Sequence, residues 1–420
     1  MRLRRAALAV LALAAGLALS DGPGVSAQQP SGVPSLAQRP AVAAALSAAK
    51  ASEPRTLEDQ IRFCEVPAPP FQEAARGETL RQTFVALGLR NVRVDRVGNV
   101  LGERPGTTPR PRLVVAAHLD TVFPPDIPVK VTRQGTILRG PGIGDNCRGL
   151  AVLVAIARSL DQGGVKTTGP VTFVANVGEE GLGDLRGMKA LFGDTLKGDV
   201  DRFVTIDNAG IQISTVGVGS RRYRVTFRGP GGHSFSQFGL PNPANALGRA
   251  IAKIADFRTE SSRTTFNVGR VGGGTAVNAI PYEAWMEVEV RSANRSALAE
   301  LDVRLLNAID DAVSEEQTRW GRGLSVVKDL VGDRPAGSIP RDSPIVLTAA
   351  AVARALRLVP VYSEASSDAN LPLSLGIPAI SIGGGGESYD SHLPSEWFDA
   401  TNSWLGTQNA ILLTIALTEN

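Results

Sequence analysis

Leu113-Val114-Val115-Ala116-Ala117 runs straight into His118-Leu119-Asp120. A short apolar run with β-branched residues suits a buried strand, and this one ends on side chains that bind metals or move protons. The pattern recurs. Residues 171–177 form a similar run, followed after Gly178 by Glu179-Glu180, and residues 203–206 end in Asp207. Residues 379–382 lead, across the glycine loop 383–386, to His392. In α/β sheets ligands gather at the carboxyl ends of strands, so runs that end this way are expected to converge. Helical patterns lie between them at residues 150–160 and 344–358, the second with Ser343 as N-cap and Pro344 as first residue. Leu80, Phe84 and Leu87 repeat at helical spacing until Gly88, and Thr56 with Asp59 reads as a capping pair for a helix ending near Cys64. Strands alternating with helices predict an α/β/α sandwich on a mixed sheet.

The middle of the chain has a different rhythm. Residues 223–227, 284–290 and 324–331 read as strands. Residues 243–254 and 298–313 read as helices, with Leu247, Ile251 and Ile254 on one face and Leu301, Leu305 and Ile309 on the other's. This β-α-β-β-α-β character predicts an inserted α+β, ferredoxin-like domain over residues 214–334, dividing the larger domain into 45–213 and 335–420. Two domains also suit a chain of 420 residues, with 43% hydrophobic and 20% charged residues.

Arg2, Arg4 and Arg5 precede an apolar run over residues 6–19, too short to span a bilayer comfortably, and small residues follow at Val25 and Ala27. This pattern predicts a signal peptide, residues 1–27, and a periplasmic or secreted protein with no membrane segment after cleavage. Residues 28–44, rich in Pro, Gln, Ser and Ala, read as a mobile leader. Removing residues 1–27 takes away three Arg and one Asp and lowers the net charge from +3 to +1. No basic patch interleaved with aromatics points to nucleic acid. Cys64 and Cys147 allow at most one disulfide.

The candidate chemistry rests on six side chains: His118, Asp145 from the loop 140–145, Glu179, Glu180, Asp207 and His392. Taken singly, an acid at a strand end is more often a solvated loop residue, and Asp145 before a helix more often a cap. Together they are harder to dismiss. The chain has only 3 His, and all fall in loops rich in Gly, Asp or Ser. Two imidazoles and three carboxylates suit a pair of divalent ions bridged by one carboxylate, zinc first, cobalt or manganese as alternatives. Asp120 is placed to orient His118 without touching metal. Adjacent Glu179 and Glu180 divide two roles, one binding metal and the other moving a proton.

These motifs resemble the co-catalytic zinc exopeptidase family of peptidase T, glutamate carboxypeptidase, aminoacylase and succinyl-diaminopimelate desuccinylase, and are most similar to its peptidase T-like members. The likeness runs from residues 65–71 and Gly98-Asn99 through His118-Leu119-Asp120, Gly144-Asp145-Asn146, Gly178-Glu179-Glu180 and Asp207. It continues with Gly232-His233-Ser234, Asn278-Ala279-Ile280-Pro281, Arg291, Ser367-Asp368-Ala369-Asn370 and residues 392–396. The resemblance implies that His118 and Asp207 hold one metal and Glu180 and His392 the other, with Asp145 between. It makes Glu179 the general acid/base, serving an attacking hydroxide held by the two metals. It implies further that the inserted domain is a lid through which two copies pair, that His233 stabilises the oxyanion, often from the partner subunit, and that Asn278 and Arg291 contact the substrate's carboxylate end. The implied activity is amide hydrolysis of small peptides, as a di- or tripeptide aminopeptidase. Carboxypeptidase and N-acyl-amino-acid hydrolase activities stand as alternatives. A periplasmic protein that binds peptide or metal without turnover is a rival from another class, and it would not need Glu179 beside Glu180. A nucleotide site at Gly140, Gly142 and Gly144 is disfavoured, because Asp145 would repel phosphate.

Overall fold

The computed structural model describes residues 32–259 and 263–419. The signal peptide expected at residues 1–27 lies outside the described residues. Among these, the largest sheet has nine strands. Its centre is four parallel strands in the spatial order Val171–Asn176, Leu113–His118, Arg202–Ile206, Ala379–Ile382. Antiparallel strands Val100–Arg104 and Gln212–Gly217 flank them, which makes the sheet mixed.

The apolar runs are continuous because both faces of these strands are covered. Leu113, Val115 and Ala117 point to one face, against the helices Pro40–Ala51, Cys147–Gln162, Pro344–Ala355 and Trp404–Thr418. Val114 and Ala116 point to the other, where Leu185, Met188, Leu191, Phe192 and Leu373 cover them. The result is an α/β/α sandwich.

A second domain is inserted. Its antiparallel sheet has the order Thr264–Gly273, Glu283–Ser292, Gly219–Arg228, Ser325–Arg334. The helices Pro243–Ala255 and Arg295–Trp320 pack on one face, burying Tyr223, Val225, Phe227, Met286, Val288, Leu305 and Ile309. The element order is β-α-β-β-α-β.

Three expectations need correction. From Val33 onward the supposed leader is helical, as Val33–Gln38 and Pro40–Ala51, with Val33, Leu36, Val42, Ala45 and Ala49 buried. Its alanines are a packing face rather than low-complexity spacer. Thr56 does not cap a helix. It lies inside Glu53–Cys64, while Asp59 pairs with Arg62 and Arg158. Ser343 does stand at the N-cap of Pro344–Ala355 with Pro344 first, as expected, although its hydroxyl donates to the carbonyl of Pro340 rather than capping a helix amide. The insert begins at Gly219 rather than 214, because Gln212–Gly217 still pairs in the large sheet. No helix among the described residues is long and apolar enough to cross a membrane.

Candidate metal centre and general base

The parallel strands deliver their C-terminal residues to one end of the sheet, as the spacing of apolar runs and acids predicted. His118 is the last residue of its strand, Asp207 follows Arg202–Ile206, and Glu179-Glu180 follow Val171–Asn176. Asp145 and His392 arrive on loops. His118 Nε2 lies 3.2 Å from Asp145 Oδ1 and 3.7 Å from Asp207 Oδ1. His392 Nε2 lies 3.4 Å from Asp145 Oδ2 and 3.2 Å from Glu180 Oε1. Asp145 therefore turns one oxygen to each imidazole. Two groups, His118-Asp145-Asp207 and Asp145-Glu180-His392, could each hold a metal ion, with Asp145 common to both.

Asp145 is free for this because its neighbour takes the capping role. Asn146 is the N-cap of Cys147–Gln162: its side-chain oxygen accepts from Gly149 N, and its amide donates to Ile206 O. Asp145 Oδ1 is buried and, beyond the His118 Nε2 contact at 3.2 Å, makes no well-formed hydrogen bond among the described residues. A buried carboxylate oxygen left this way is costly unless a cation completes it, and the imidazole and carboxylate donors around it suit zinc, cobalt or manganese. The residues fit the group.

Titration points the same way. Burial, with the charges of Asp145 and Glu179, pushes Glu180 up to about 8, and burial raises Asp207 to about 6. Burial also pushes against ionisation of Asp145, but His118 and His392 outweigh it and hold this carboxyl well below the usual range. Asp145 and Glu180 raise His392 to about 10. Burial opposes charge on His118, yet Asp145 and Asp207 raise it well above an ordinary histidine. The cluster binds protons tightly in the positions that divalent cations would take.

Asp120 is buried, but it does not orient His118 through its carboxylate, which stays 3.7 Å from Nδ1. Its backbone carbonyl lies 3.0 Å from Nδ1 and orients the ring instead. The carboxylate accepts from the amides of Glu179, at 3.0 Å, and Glu180, at 2.7 Å. It thus fixes the turn that presents both acids, because two converging N–H groups are the stronger draw for an ionised oxygen pair.

Two further residues belong to the site. Glu396 is fully buried and accepts from Gly142 N, Gly144 N and Asp145 N at 2.9, 2.8 and 3.1 Å. Arg334, at the end of an insert strand, donates through Nη1 to Glu179 Oε1 at 2.9 Å and through Nη2 to the Glu179 carbonyl. In the sequence Glu396 stands inside a motif with no evident role, and Arg334 stands in none. The one signal for Arg334 is a charged residue just past an expected strand, which usually means solvent.

The insert residues divide. His233 is exposed on a short strand paired with Ala279–Ile280, and Ser234 N donates to Asn278 O, so His233 and Asn278 are neighbours. No hydrogen bond or ion pair among the described residues joins either to the metal cluster. His233 Nδ1 accepts from Phe235 N and Ser236 N, which leaves Nε2 outside those bonds. Arg291 is brought closer. It shares a cross-strand row with Ser220 and Arg334, lies within the field of Glu179, and its buried Nε has no partner among the described residues. Cys64 and Cys147 are buried and form no disulfide; the Cys64 thiol donates to the carbonyl of Pro141.

Comparison with known proteins agrees with this fold. The chain is similar to the succinyl-diaminopimelate desuccinylase of Corynebacterium glutamicum, 26% identical over 350 residues, covering 78% of this chain and 88% of the relative. Its fold is similar to that of a Staphylococcus aureus tripeptidase, with a TM-score of 0.74 at 22% identity over 88% of this chain and 99% of that one. It is also similar to that of a dinuclear metal-binding peptidase from Bacillus subtilis, with a TM-score of 0.65 at 19% identity over 88% and 99% of the two chains. At these identities the two structures show the fold alone. Residues 114–416 match the profile of Peptidase family M20/M25/M40. The chain belongs to that family of peptidases and amidohydrolases, and it is a metal-dependent hydrolase.

Proposed function

We propose that this enzyme hydrolyses the amide bond of di- and tripeptides as an aminopeptidase, with two divalent metal ions, zinc by preference. The observation that carries the reading is Asp145, whose two oxygens are shared between the His118 and His392 sides of one buried cluster. In the proposed assignment His118 and Asp207 would hold one ion and Glu180 and His392 the other, with Asp145 offering an oxygen to each. The pair would supply an activated water and polarise the scissile carbonyl. Glu179, grouped with His118 and Glu180, takes a proton from the attacking water and returns it to the leaving amine. Asp120 holds Glu179 and Glu180 in place through their amides. His233 offers an Nε2 proton for the oxyanion. It would come from a partner copy, and the exposed edge strand Thr264–Gly273 supports pairing through the insert. The aminopeptidase choice rests on the peptidase T-like character of residues 65–71 and 178–181, and the fold's likeness to a tripeptidase is consistent with it.

A second reading has its own observation. Arg334 sets a guanidinium on Glu179, and Arg291, in the same cross-strand row, lies within the field of that carboxylate, which suits a substrate carboxylate near the scissile bond. That would favour a carboxypeptidase or an N-acyl-amino-acid hydrolase. A panel of free, N-blocked and C-amidated tripeptides, assayed with zinc, cobalt or manganese, separates the readings. The aminopeptidase cleaves free and C-amidated peptides and spares N-blocked ones, and the reverse pattern overturns it. Glu179→Gln is expected to keep its metal and lose about 10²- to 10⁴-fold in kcat. Full activity in that variant would end the mechanism.

A further inference from the structure

We propose that Arg334 is a positioning residue for Glu179 and makes the general base depend on the docked insert; the inference rests on Glu179 being that base. Arg334 is 3% exposed, although it closes a strand of the inserted sheet. One guanidinium grips Glu179 twice, at its own backbone carbonyl and at Oε1 of its side chain. Bonds to both ends of one residue close a ring through its side-chain torsions, so the carboxylate is held in a single rotamer. Nη1 is steadied in turn by Ser366 Oγ at 3.2 Å.

The grip also distinguishes the two oxygens. Oε1 is committed to Arg334, whereas Oε2 accepts no hydrogen bond from the described residues. Oε2 is then the oxygen that takes and returns the proton. A carboxylate free to rotate would spend much of its time with neither oxygen aimed at the attacking water, and misplacement on that scale costs about 100-fold in rate.

The placement of Arg334 gives the insert a hold on the chemistry. Arg334 stands opposite Ser220 on the strand by which the chain enters the insert, and Arg291 stands opposite Ser220 from the other side. A second contact reinforces the dock: Arg222, on the same strand as Ser220, donates to the carbonyl of Gly181, next to Glu180. Displacing the insert would carry Arg334 with it and release Glu179.

The experiment compares wild type with Arg334→Ala and Arg334→Lys, reading metal content, melting temperature, kcat and KM on the best substrate. Arg334→Ala is expected to keep both metals and its fold, to lose about 100-fold in kcat, and to change little in KM. Guanidinium ion, added well below denaturing concentration, is expected to restore part of that kcat. Arg334→Lys keeps the charge without the fork and should fall between the two, and it decides the matter if the alanine variant does not fold. A rise in KM with kcat preserved would make Arg334 a substrate-binding group and overturn the proposal. So would loss of metal in a folded variant, or a kcat loss that guanidinium leaves untouched. Wild-type kcat in both variants, with Glu179→Gln inactive, would sink this inference alone. An active Glu179→Gln would instead remove the functional reading beneath it.

Discussion

Glu396 receives three backbone N–H groups of the loop that ends in Asp145, and it sits on the same turn of chain as His392. One carboxylate therefore sets the separation between the proposed bridging ligand and the imidazole facing it. Its own charge is dear, since burial raises its pKa to about 7. That cost is tolerable because three donors converge on it. In Glu396→Gln an NH2 group must face one or more of those donors, so the loop has to shift. We expect metal affinity to fall about 10- to 100-fold, as when the partners behind other metal ligands are lost. A chelator-competition titration on folded variant measures this, and unchanged affinity would show that the Asp145 loop holds itself. Single residues are also where legibility in the sequence is most uneven. His118, Asp145, Glu180, Asp207 and His392 stand out because histidine is scarce here and each acid or imidazole follows an apolar run or a glycine loop. Glu396 and Arg334 do not, since their burial is created by loops and strands far apart in the chain. Asp120 stands out beside His118, yet its carboxylate serves the Glu179 and Glu180 amides rather than the ring. Nothing local tells a carboxylate whether it will meet a ring nitrogen or two N–H groups.

Elements are legible where their period is strong and both faces are buried. The central strands fall within a residue or two of their apolar runs, and Pro243–Ala255 keeps its expected face. Among the elements that escape, two show why. Thr264–Gly273 is an edge strand with alternate residues exposed, a register shift near Val268 and glycines at its end, so it lacks an apolar run. Pro40–Ala51 is hidden by its composition. Its small side chains allow close approach to the end of Cys147–Gln162, where a Cβ on Gly163 would come within 2.6 Å of the Ala41 carbonyl. Low complexity here reflects tight helix packing. The neighbouring helix Val33–Gln38 buries Leu36 against the main core. Leu36→Ala is expected to cost about 2–5 kcal/mol of stability, read as a lower urea midpoint with activity per folded molecule unchanged. A variant as stable as wild type would mean that this helix packs loosely.

For the molecule as a whole, metal uptake is linked to pH. Glu180 near 8, His392 near 10 and the strongly raised His118 all hold protons at neutral pH in the metal-free protein. A cation can bind only by expelling them, so falling pH favours the protonated, metal-free form. Affinity is therefore expected to rise between pH 6 and 8, with net proton release at pH 7. Calorimetry in two buffers of different ionisation enthalpy checks both signs, and proton uptake or a flat profile would contradict the assignment of ligands. The division into two domains is legible from the change of rhythm near residue 214. Which face of the insert meets the active site is not, because that depends on Arg222 and Arg334 finding Gly181 and Glu179. The junction between the domains is equally specific. Gly217 pairs with Gly337 in the large sheet, and Ser220 pairs with Arg334 in the small one. The chain thus leaves the catalytic domain and returns to it at a single doorway. Residues 219–334 form a cassette: a tight turn from Gly217 to Gly337 would excise it without disturbing a strand of the larger sheet, and a cassette from a relative could be spliced in at the same two glycines.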